Sequence, residues 1–399
     1  MTNKQNVDMA VVGAGPAGLM VAITASRTGQ TVTLLERMRE PGMKLLASGG
    51  GRCNLTNTLT SEQFVERCGR HARFMLPALR RLDSTQLRAF FTDLGVPTHA
   101  PDGFRVFPVS HSARDVRDAL LNYLSSLGAT PLCDTPVVGI TRTENEGFVL
   151  RTPQREFRAA RVVLACGGAG HPNLGGGLTG YELAESLGHA ITPLAPAMVP
   201  LVTREDWPAR CRAHTIPNAL LEVKAKGRRG LRADGDLIFT ETGLAGPLVL
   251  DVAREITPML EHGAVYATLR LTGRSEEWWT HQLTTASNRG ENTPLGEWLE
   301  IQGVPPPLAE VFAELADLPP SRPVSQLGNS GGARLARLAG STPIEFVSSE
   351  GFAKAMVTRG GVAIKSVDPK TLESRLVPKL FFAGEMLDLD GPCGGFNLQ

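Results

Sequence analysis

The stretch VDMAVVGAGPAGLMVAITASRTGQTVTLLE, residues 7–36, contains the pattern that decides the fold. Residues 7–12 predict a buried strand, residues 16–28 predict a helix that Gly29 ends, and residues 31–36 predict a second strand rich in β-branched residues and leucine. A strand, a helix and a strand within about thirty residues form the unit from which parallel sheets are built. The sequence therefore predicts an α/β protein.

The turn between the first strand and the helix, Gly13-Ala14-Gly15-Pro16-Ala17-Gly18, fits the pattern G-x-G-x-x-G. The pattern alone is a weak signal, but the flanking strand and helix, with Glu36 at the end of the second strand, supply the required context. Gly13 permits a sharp turn, Gly15 lets the backbone approach a diphosphate, and Gly18 lets the helix pack on the strand. The helix N-terminus attracts phosphate. Glu36 would bind ribose hydroxyls and disfavour a 2′-phosphate, which indicates FAD or NAD rather than NADP.

Three further glycine-rich turns favour FAD over NAD. They are SGGGRCN at residues 48–54, CGG at 166–168 after a predicted strand at 161–165, and Gly384-Glu385 after another predicted strand. An NAD domain needs none of these turns, whereas the ribityl and isoalloxazine parts of FAD extend well beyond the first turn. Glu385 would hold a ribityl hydroxyl or, through water, the diphosphate. Arg52 and Lys44 would neutralise phosphate charge or favour the reduced flavin, and surface ion pairs are the alternative for both.

The composition excludes several classes of protein. The chain has 399 residues, with 41 Lys plus Arg against 40 Asp plus Glu, so it lacks the basic excess of a nucleic-acid-binding protein. Its six cysteines are scattered without a Cys-x-x-Cys pair, which argues against a zinc ribbon or a dithiol centre, and we expect no metal site. Free thiols without a secretory signal favour the cytoplasm. Residues 9–25 are strongly apolar, but their glycines and proline favour a strand, a turn and a helix over a membrane span.

The length predicts more than one domain. We expect a Rossmann-like FAD-binding domain in two segments, residues 1–188 and 357–399, interrupted by a substrate-side domain at 189–356, where proline-rich connections and short strands begin. Helices are predicted at 84–93, capped by Ser84 or Thr85, and at 112–127. Strands are predicted at 132–140, 147–151, 156–158 and 161–165.

Residues 201–232 are locally basic, with eight Lys or Arg against three acids. The alternation at Leu221, Val223 and Ala225 predicts a strand with a solvated basic face, and contact with an anion or a nucleic acid is the alternative.

Four segments of the sequence resemble a known family. VVGAGPAGL, ERMREPGMKLLASGGGRCNLTN, VVLACGG and FFAGEMLDLDGPCGGFN are similar to the flavoproteins related to aminoacetone oxidase and the BaiN-type enzymes of bile-acid dehydroxylation, within the glutathione-reductase-like FAD superfamily. The resemblance spans nearly the whole chain, and GGGRCNLTN is its most specific part. It implies a parallel sheet with a small antiparallel sheet, interrupted by an inserted β-barrel-like and helical domain.

The resemblance also implies which residues line FAD. Position by position these are Gly13, Gly15, Gly18, Glu36, Lys44, Gly51, Arg52, Asn54, Val137, Gly167, Gly384, Glu385, Gly394, Gly395 and Phe396. The motifs add their neighbours as candidate cofactor-binding residues: Ala14, Pro16, Ala17, Arg37, Ser48, Gly49, Cys53, Ala165, Gly168 and Asn397. In the resembling family a helix follows this last loop, with its N-terminus directed at the flavin. The sequence ends at Gln399, so we expect this form to hold FAD less tightly than one extended by a helix of about four turns.

The predicted activity is that of a FAD-dependent oxidoreductase, with hydride passing between flavin N5 and a small or hydrophobic substrate. Amine oxidation and reduction of a conjugated carbon–carbon double bond both remain open. No second G-x-G-x-x-G occurs, so NAD(P)H, if it is the donor, would bind transiently. The alternative is a flavoprotein that associates with RNA or modifies tRNA, which the lack of paired reactive cysteines disfavours. No acid–base set stands out, and a packing role is favoured for Cys53, His111 and His171 over a reactive one.

Overall fold

The computed structural model describes residues 6–69, 71–144, 147–223 and 230–399. The chain divides into two compact units, Met1–Pro196 with Ala355–Gln399, and Ala197–Lys354. The boundaries therefore fall at 196/197 and 354/355, where the sequence predicted 188/189 and 356/357.

The first unit mixes strands and helices along its whole length, and most of the helices of the second unit follow its first barrel strands. The strands are β1 (Asn6–Val12), β2 (Val32–Leu35), β3 (Thr56–Asn57), β4 (Thr98–His99), β5 (Arg105–Pro108), β6 (Pro131–Leu132), β7 (Gly139–Arg142), β8 (Phe148–Arg151), β9 (Glu156–Leu164), β10 (Ile191–Ala197), β11 (Leu201–Thr203), β12 (Thr215–Val223), β13 (Leu231–Phe239), β14 (Gly243–Ala245), β15 (Val265–Arg270), β16 (Thr342–Ser349), β17 (Val357–Val362) and β18 (Leu380–Phe382). The helices are α1 (Pro16–Arg27), α2 (Met43–Ala47), α3 (Ser61–Arg67), α4 (Leu76–Leu79), α5 (Ser84–Asp93), α6 (Ala113–Ser126), α7 (Thr179–Ser186), α8 (Trp207–Arg210), α9 (Pro247–Leu260), α10 (Glu276–Asn288), α11 (Leu295–Ile301), α12 (Pro306–Leu315) and α13 (Gly328–Gly340).

The main sheet of the first unit has the strand order β6-β2-β1-β9-β8-β7, and β18 also pairs with β9. Strands β6, β2, β1, β9 and β18 run parallel, whereas β8 and β7 are antiparallel. Both β8 and β18 fit beside β9, because β8 pairs with its first four residues and β18 with its last three. The predicted Rossmann-like α/β fold is confirmed.

The register of the parallel strands places four chain turns at one edge of the sheet. Strand-end residues pair directly across the sheet, and they are Val12, Leu35, Leu164 and Phe382. All four side chains are buried. The residues that follow them therefore leave the sheet side by side: Gly13, Glu36, Ala165 and Ala383. In open α/β sheets ligands bind at this carboxyl edge.

The second unit contains a closed barrel with the strand order β11-β14-β13-β12-β15-β16, and helices α9–α13 belong to the same unit. The predicted β-barrel-like and helical insert is confirmed. Leu221 and Val223 are buried in β12. Residues 224–229, which include Ala225 and half of the predicted basic segment's cations, lie outside the described residues.

The strand predictions for residues 132–140 and for residues 156–165 are wrong in part. Residues 132–140 do not form one strand, because the segment between β6 and β7 bonds to the turn after β2: Asp134 N–H donates to Met38 O, and Thr135 N–H to Glu36 O. Residues 156–158 and 161–165, predicted as separate strands, are joined in β9.

Helix α5 begins as predicted, but its N-cap residue is Asp83 rather than Ser84 or Thr85. The Asp83 carboxylate accepts a hydrogen bond from Gln86 N–H in a capping box.

None of the helices that the structure describes is long and apolar enough to cross a membrane. Within the described ranges, no group of three or more His, Cys, Asp or Glu side chains could hold a metal ion.

A buried histidine joins two parts of the first unit. His189, 2% exposed, lies between Ser366 and Ser374, with Nδ1 3.0 Å from one hydroxyl and Nε2 2.9 Å from the other. Ser374 Oγ already accepts from two backbone N–H groups, so its hydroxyl donates to Nε2. Ser366 Oγ donates to Ala363 O and accepts from Nδ1–H. The arrangement therefore requires a neutral ring.

We expect the free energy of unfolding to fall as the pH is lowered below about 6.5. Burial lowers the pKa of His189, so in this pH range the histidine is protonated in the unfolded chain but remains neutral in the folded chain. The contribution to the slope is at most about 1.4 kcal/mol per pH unit, and it ends below the lowered pKa, where both states are protonated. Urea unfolding between pH 7.5 and 5 measures it. His189→Gln should show a smaller slope over this interval, and equal slopes would contradict the assignment.

Candidate functional site

The glycine turn after β1 has two packing glycines and one that faces open space. A Cβ on Gly13, whose φ is +101°, would lie 2.5 Å from Ala165 O, and a Cβ on Gly18 would lie 1.8 Å from Gly13 O. These two glycines bring α1 against the turn and β9. A Cβ on Gly15 would meet nothing within 4 Å. Helix α1 begins next to it with Pro16, without a side-chain cap or an acid in its first turn, so its N-terminus suits a diphosphate.

The carboxylate of Glu36 belongs to this turn as well as to the predicted ribose site. It is 8% exposed. Its Oε2 accepts from Ala14 N–H at 2.7 Å and its Oε1 accepts from Met38 N–H at 2.8 Å. Since a carboxylate has about four acceptor positions, two remain for the hydroxyls of a ribose. Glu36 therefore fits its predicted role and also fixes the backbone around it.

Arg37, predicted to bind the cofactor, contacts a turn far along the chain. Its guanidinium donates to Gly176 O at 2.5 Å, and a Cβ on Gly177 would lie within 3 Å of it. The side chain thus fixes the turn at residues 175–177.

A polar cluster lies where β9, β17 and β18 meet. Lys44 Nζ donates to Glu385 Oε2 at 2.9 Å, and Glu385 Oε1 accepts from Thr358 N–H at 2.9 Å. A Cβ on Gly168 would lie 2.4 Å from that oxygen. The Lys44 and Glu385 side chains are 22% and 19% exposed. The structure thus brings three predicted site residues together, with Lys44 paired to Glu385.

Thr358 was missed by the sequence reasoning. Its side-chain oxygen accepts from Ala169 N–H at 2.8 Å and from Gly170 N–H at 3.3 Å, which fixes the turn after β9. The only sequence signal is its place just before Gly360-Gly361, and no local spacing links it to residues so far away in the chain.

The turns after β9 and β18 leave little room for side chains. Ala165 is buried, and its N–H donates to Val12 O. A Cβ on Gly384 would lie 2.6 Å from Ala17 Cβ, so this turn lies directly against α1. Gly167 has φ +73°, and a Cβ there would meet nothing within 4 Å. Gly167 and Gly15 are therefore the open positions at this edge of the sheet.

The loop at residues 48–54 turns back on itself. Gly49, Gly50 and Gly51 all have positive φ, as does Cys53 at 61°. The loop is closed by Cys53 N–H donating to Ser48 O at 3.0 Å. A Cβ on Gly49 would lie 2.9 Å from Asn54 N. The backbone, rather than side chains, is the surface that this loop can offer a flavin.

Arg52 lies on the outside of the loop. It is exposed, its Nε donates to Gly49 O at 3.3 Å, and its guanidinium lies 5.2 Å from the centre of the Phe107 ring.

We expect Arg52→Ala to lower the flavin midpoint potential by roughly 20 mV, the equivalent of about 1 kcal/mol for a two-electron couple, because a positive charge near the ring favours the reduced form. Arg52→Lys keeps the charge and should restore most of the potential. Dye equilibration measures both variants. An unchanged potential at full FAD occupancy would assign Arg52 to the surface alone.

The loop at residues 391–397 packs against β3. The Asn54 amide, oriented to satisfy both neighbours, donates to Thr56 O and accepts from Gly395 N–H. A Cβ on Gly395 would lie 2.3 Å from Thr56 O, and Gly394 O accepts from Asn57 Nδ2 at 3.1 Å. The loop thereby joins the 48–57 segment, as a shared flavin site requires.

Three predicted site residues have evident packing roles. Phe396 is 7% exposed, with its ring 4.7 Å from that of Phe64. Asn397 holds its own loop through Gly391, and Val137 is buried in the core of the main sheet.

The two thiols of the site are not activated. Burial raises the pKa of Cys53 to about 11 and that of Cys166 to about 12. Both remain protonated at neutral pH, and a thiolate is the reactive form of cysteine. The packing role predicted for Cys53 agrees with its complete burial.

The fold and this site define a FAD-dependent oxidoreductase with a Rossmann-type cofactor domain, as the sequence predicted. The open Gly15, the uncapped N-terminus of α1 and the free acceptor positions of Glu36 fit the adenosine diphosphate part of FAD, while the Lys44–Glu385 pair and the two glycine loops are available to the rest. The family model described as the HI0933-like protein Rossmann domain matches residues 7–399. The chain belongs to this family.

Relatives match the chain over nearly its whole length. It is 31% identical over 397 residues to the 3-dehydro-bile acid delta(4,6)-reductase of Clostridium scindens, covering 98% of this chain and 95% of the relative. It is 27% identical over 395 residues to the ribosomal RNA dihydrouridine synthase of Escherichia coli, covering 99% and 95%. The crystal structure of 3-ketosteroid-delta4-(5alpha)-dehydrogenase from Rhodococcus jostii RHA1 matches with a TM-score of 0.51 at 17% identity, covering 99% of this chain and 93% of that one, which shows a shared fold.

Proposed function

We propose that this protein reduces a carbon–carbon double bond conjugated to a carbonyl group in a small organic molecule. The main support is a reaction type shared by two relatives, since the names of both describe the reduction of a conjugated double bond. The Δ4,6 bonds of a 3-dehydro bile acid are conjugated to the C3 carbonyl, and the bond saturated in dihydrouridine is conjugated to a carbonyl of uracil. Of the two directions open from the sequence, reduction is therefore favoured over amine oxidation.

The described residues support a reaction carried by the cofactor. Neither Cys53 nor Cys166 is a thiolate at neutral pH, so chemistry through a cysteine is disfavoured. Bound FAD supplies a hydride acceptor and donor. In the balanced reaction a hydride goes to the β-carbon of the enone and a proton to the α-carbon, while NAD(P)H is oxidised to NAD(P)⁺ overall.

The role of the chain is to bind and orient. Glu36 and the glycine turn would hold the adenosine diphosphate, and Lys44 with Glu385 the ribityl chain. The backbone of residues 49–51 and 394–395 would lie along the flavin ring. We assign FAD binding to the first unit and substrate contacts to the inserted second unit.

Uridine in RNA is the second candidate substrate, because the dihydrouridine synthases also match this chain over nearly its full length. The described arginines of residues 201–232 argue against it. Three of the four arginines described within 201–232 lie near carboxylates: Arg204 near Glu345 at 2.7 Å, Arg210 near Glu314 at 2.5 Å and Arg232 near Glu222 at 3.5 Å. These pairs leave less positive charge for phosphate. A small enone is the better-supported substrate.

Anaerobic reduction followed by single additions tests this function. The FAD-loaded protein is reduced with NADH or NADPH and then mixed with a 3-oxo-Δ4 steroid, with unmodified ribosomal RNA, or with air. We expect rapid reoxidation by the steroid, a product heavier by two hydrogens, and slow reoxidation by oxygen. Reoxidation by RNA alone, with dihydrouridine formed, would select the second candidate. Rapid reoxidation by oxygen with no enone turnover would indicate an oxidase.

A further inference from the structure

The hydroxyl of Tyr181 is buried without a hydrogen-bond partner in the described part of the chain. The residue is only 3% exposed. A buried hydroxyl that bonds to nothing is unfavourable, so its partner is expected to be a group outside the polypeptide.

The position of Tyr181 indicates which group this is. It lies in the first turn of α7, which begins against the cofactor edge of the sheet. A Cβ on the preceding Gly180 would lie 2.5 Å from Cys166 Cβ and 3.4 Å from Met386 Cε. Helix α7 therefore packs on the turn after β9 and on the turn after β18, the two turns that carry Gly167 and Glu385.

The electrostatic surroundings point the same way. Burial raises the pKa of Tyr181, and the negative charge of the Glu385 carboxylate raises it further. The phenol is thus protonated at neutral pH and can donate. The nearby Glu385 carboxylate is engaged by Lys44 and by Thr358 N–H.

We propose that Tyr181 is a cofactor-contacting residue whose hydroxyl donates a hydrogen bond to an oxygen of the diphosphate or ribityl chain of FAD, beside Glu385. The Tyr181 hydroxyl would be a neutral hydrogen-bond donor in a part of the site where the other polar groups are backbone groups and the Lys44–Glu385 ion pair. It rests on FAD binding and is independent of which substrate is reduced.

Tyr181→Phe removes only this hydroxyl and is the direct test. We expect FAD affinity, measured by flavin fluorescence with the apoprotein, to weaken by roughly 5- to 50-fold, the range for one hydrogen bond to a neutral or charged oxygen. The melting temperature of the apoprotein should be unchanged or higher, because the variant no longer buries an unpartnered hydroxyl. Tyr123→Phe is the matched control, since Tyr123 lies on α6 with its ring 6.3 Å from that of Phe90. It should leave FAD affinity unchanged.

Unchanged FAD affinity in Tyr181→Phe would overturn the proposal and leave a bound water as the partner. A lower apoprotein melting temperature with normal affinity would also overturn it, because the hydroxyl would then have only a structural role. Neither result bears on enone reduction, which the reoxidation experiment measures separately.

A second measurement holds even if this variant folds poorly. The chain has only three tyrosines, so fluorotyrosine labelling gives three ¹⁹F resonances, which Tyr123→Phe and Tyr266→Phe assign by elimination. FAD is expected to shift the Tyr181 resonance and leave that of Tyr266, which is 63% exposed, in place. A shift with ADP alone would locate the contact at the diphosphate, and a shift with FAD only at the ribityl chain. No shift with either would overturn the proposal.

Discussion

Gly15→Val is expected to abolish FAD binding while the apoprotein remains as stable as the wild type. The φ of Gly15 is −72°, which any residue adopts, and a Cβ there meets no protein atom within 4 Å. The valine side chain would instead occupy the space in which the diphosphate approaches the N-terminus of α1. Loss of two hydrogen bonds to phosphate, at about 1.5–3 kcal/mol each, weakens binding by at least about 100-fold. Isothermal titration with FAD and urea unfolding of the apoprotein measure the two effects.

Two other glycines make this prediction specific. Gly332 in α13 also has no atom within 4 Å of an added Cβ, so Gly332→Val is the control and should bind FAD normally. Gly18→Val should instead destabilise the apoprotein, because its Cβ would overlap Gly13 O. Normal FAD affinity in Gly15→Val would mean that the diphosphate does not pass this glycine.

Local sequence predicted the parts of the site whose function depends on local geometry. The first β-α-β unit, the glycine turn and Glu36 lie within about thirty residues, and the spacing of a strand, a turn and a helix determines their arrangement. The wrongly predicted strand at 132–140 shows that local sequence does not reveal contacts with distant segments. That segment bonds to Glu36 and Met38, about a hundred residues earlier, and no pattern within it reveals those partners.

The remaining site residues depend on contacts between distant segments. The sequence indicated Lys44 and Glu385 by type, but their pairing across 341 positions is a property of the folded sheet. Thr358 and Tyr181 belong to no motif, since each acquires its place from the turn after β9. Arg37 was predicted as a cofactor contact only as the neighbour of Glu36, and no local pattern indicated that its guanidinium also donates to Gly176 O, 139 positions along the chain.

Glu36→Ala should lower both the stability of the apoprotein and its affinity for FAD, because the carboxylate has two functions. The sequence predicted that Glu36 contacts the ribose. In the structure its carboxylate also accepts hydrogen bonds from the backbone N–H groups of Ala14 and Met38. Leaving both N–H groups without a partner is expected to lower the free energy of unfolding by about 2–6 kcal/mol, at about 1–3 kcal/mol for each group. The lost charge-assisted contacts to ribose should weaken FAD binding further, by about 1.5–3 kcal/mol.

Comparison with Glu36→Gln separates these two functions. Glutamine keeps one acceptor oxygen but presents an NH₂ group to the other backbone N–H, so its apoprotein should be intermediate in stability. Both variants lose the negative charge, and FAD affinity should fall in both relative to the control Glu66→Ala, since Glu66 is an exposed residue of α3. Urea unfolding of the apoprotein and FAD titration at a temperature where all variants are folded give the two quantities independently. If Glu36→Ala loses stability but binds FAD with wild-type affinity, then the carboxylate only fixes the turn and the ribose is held elsewhere.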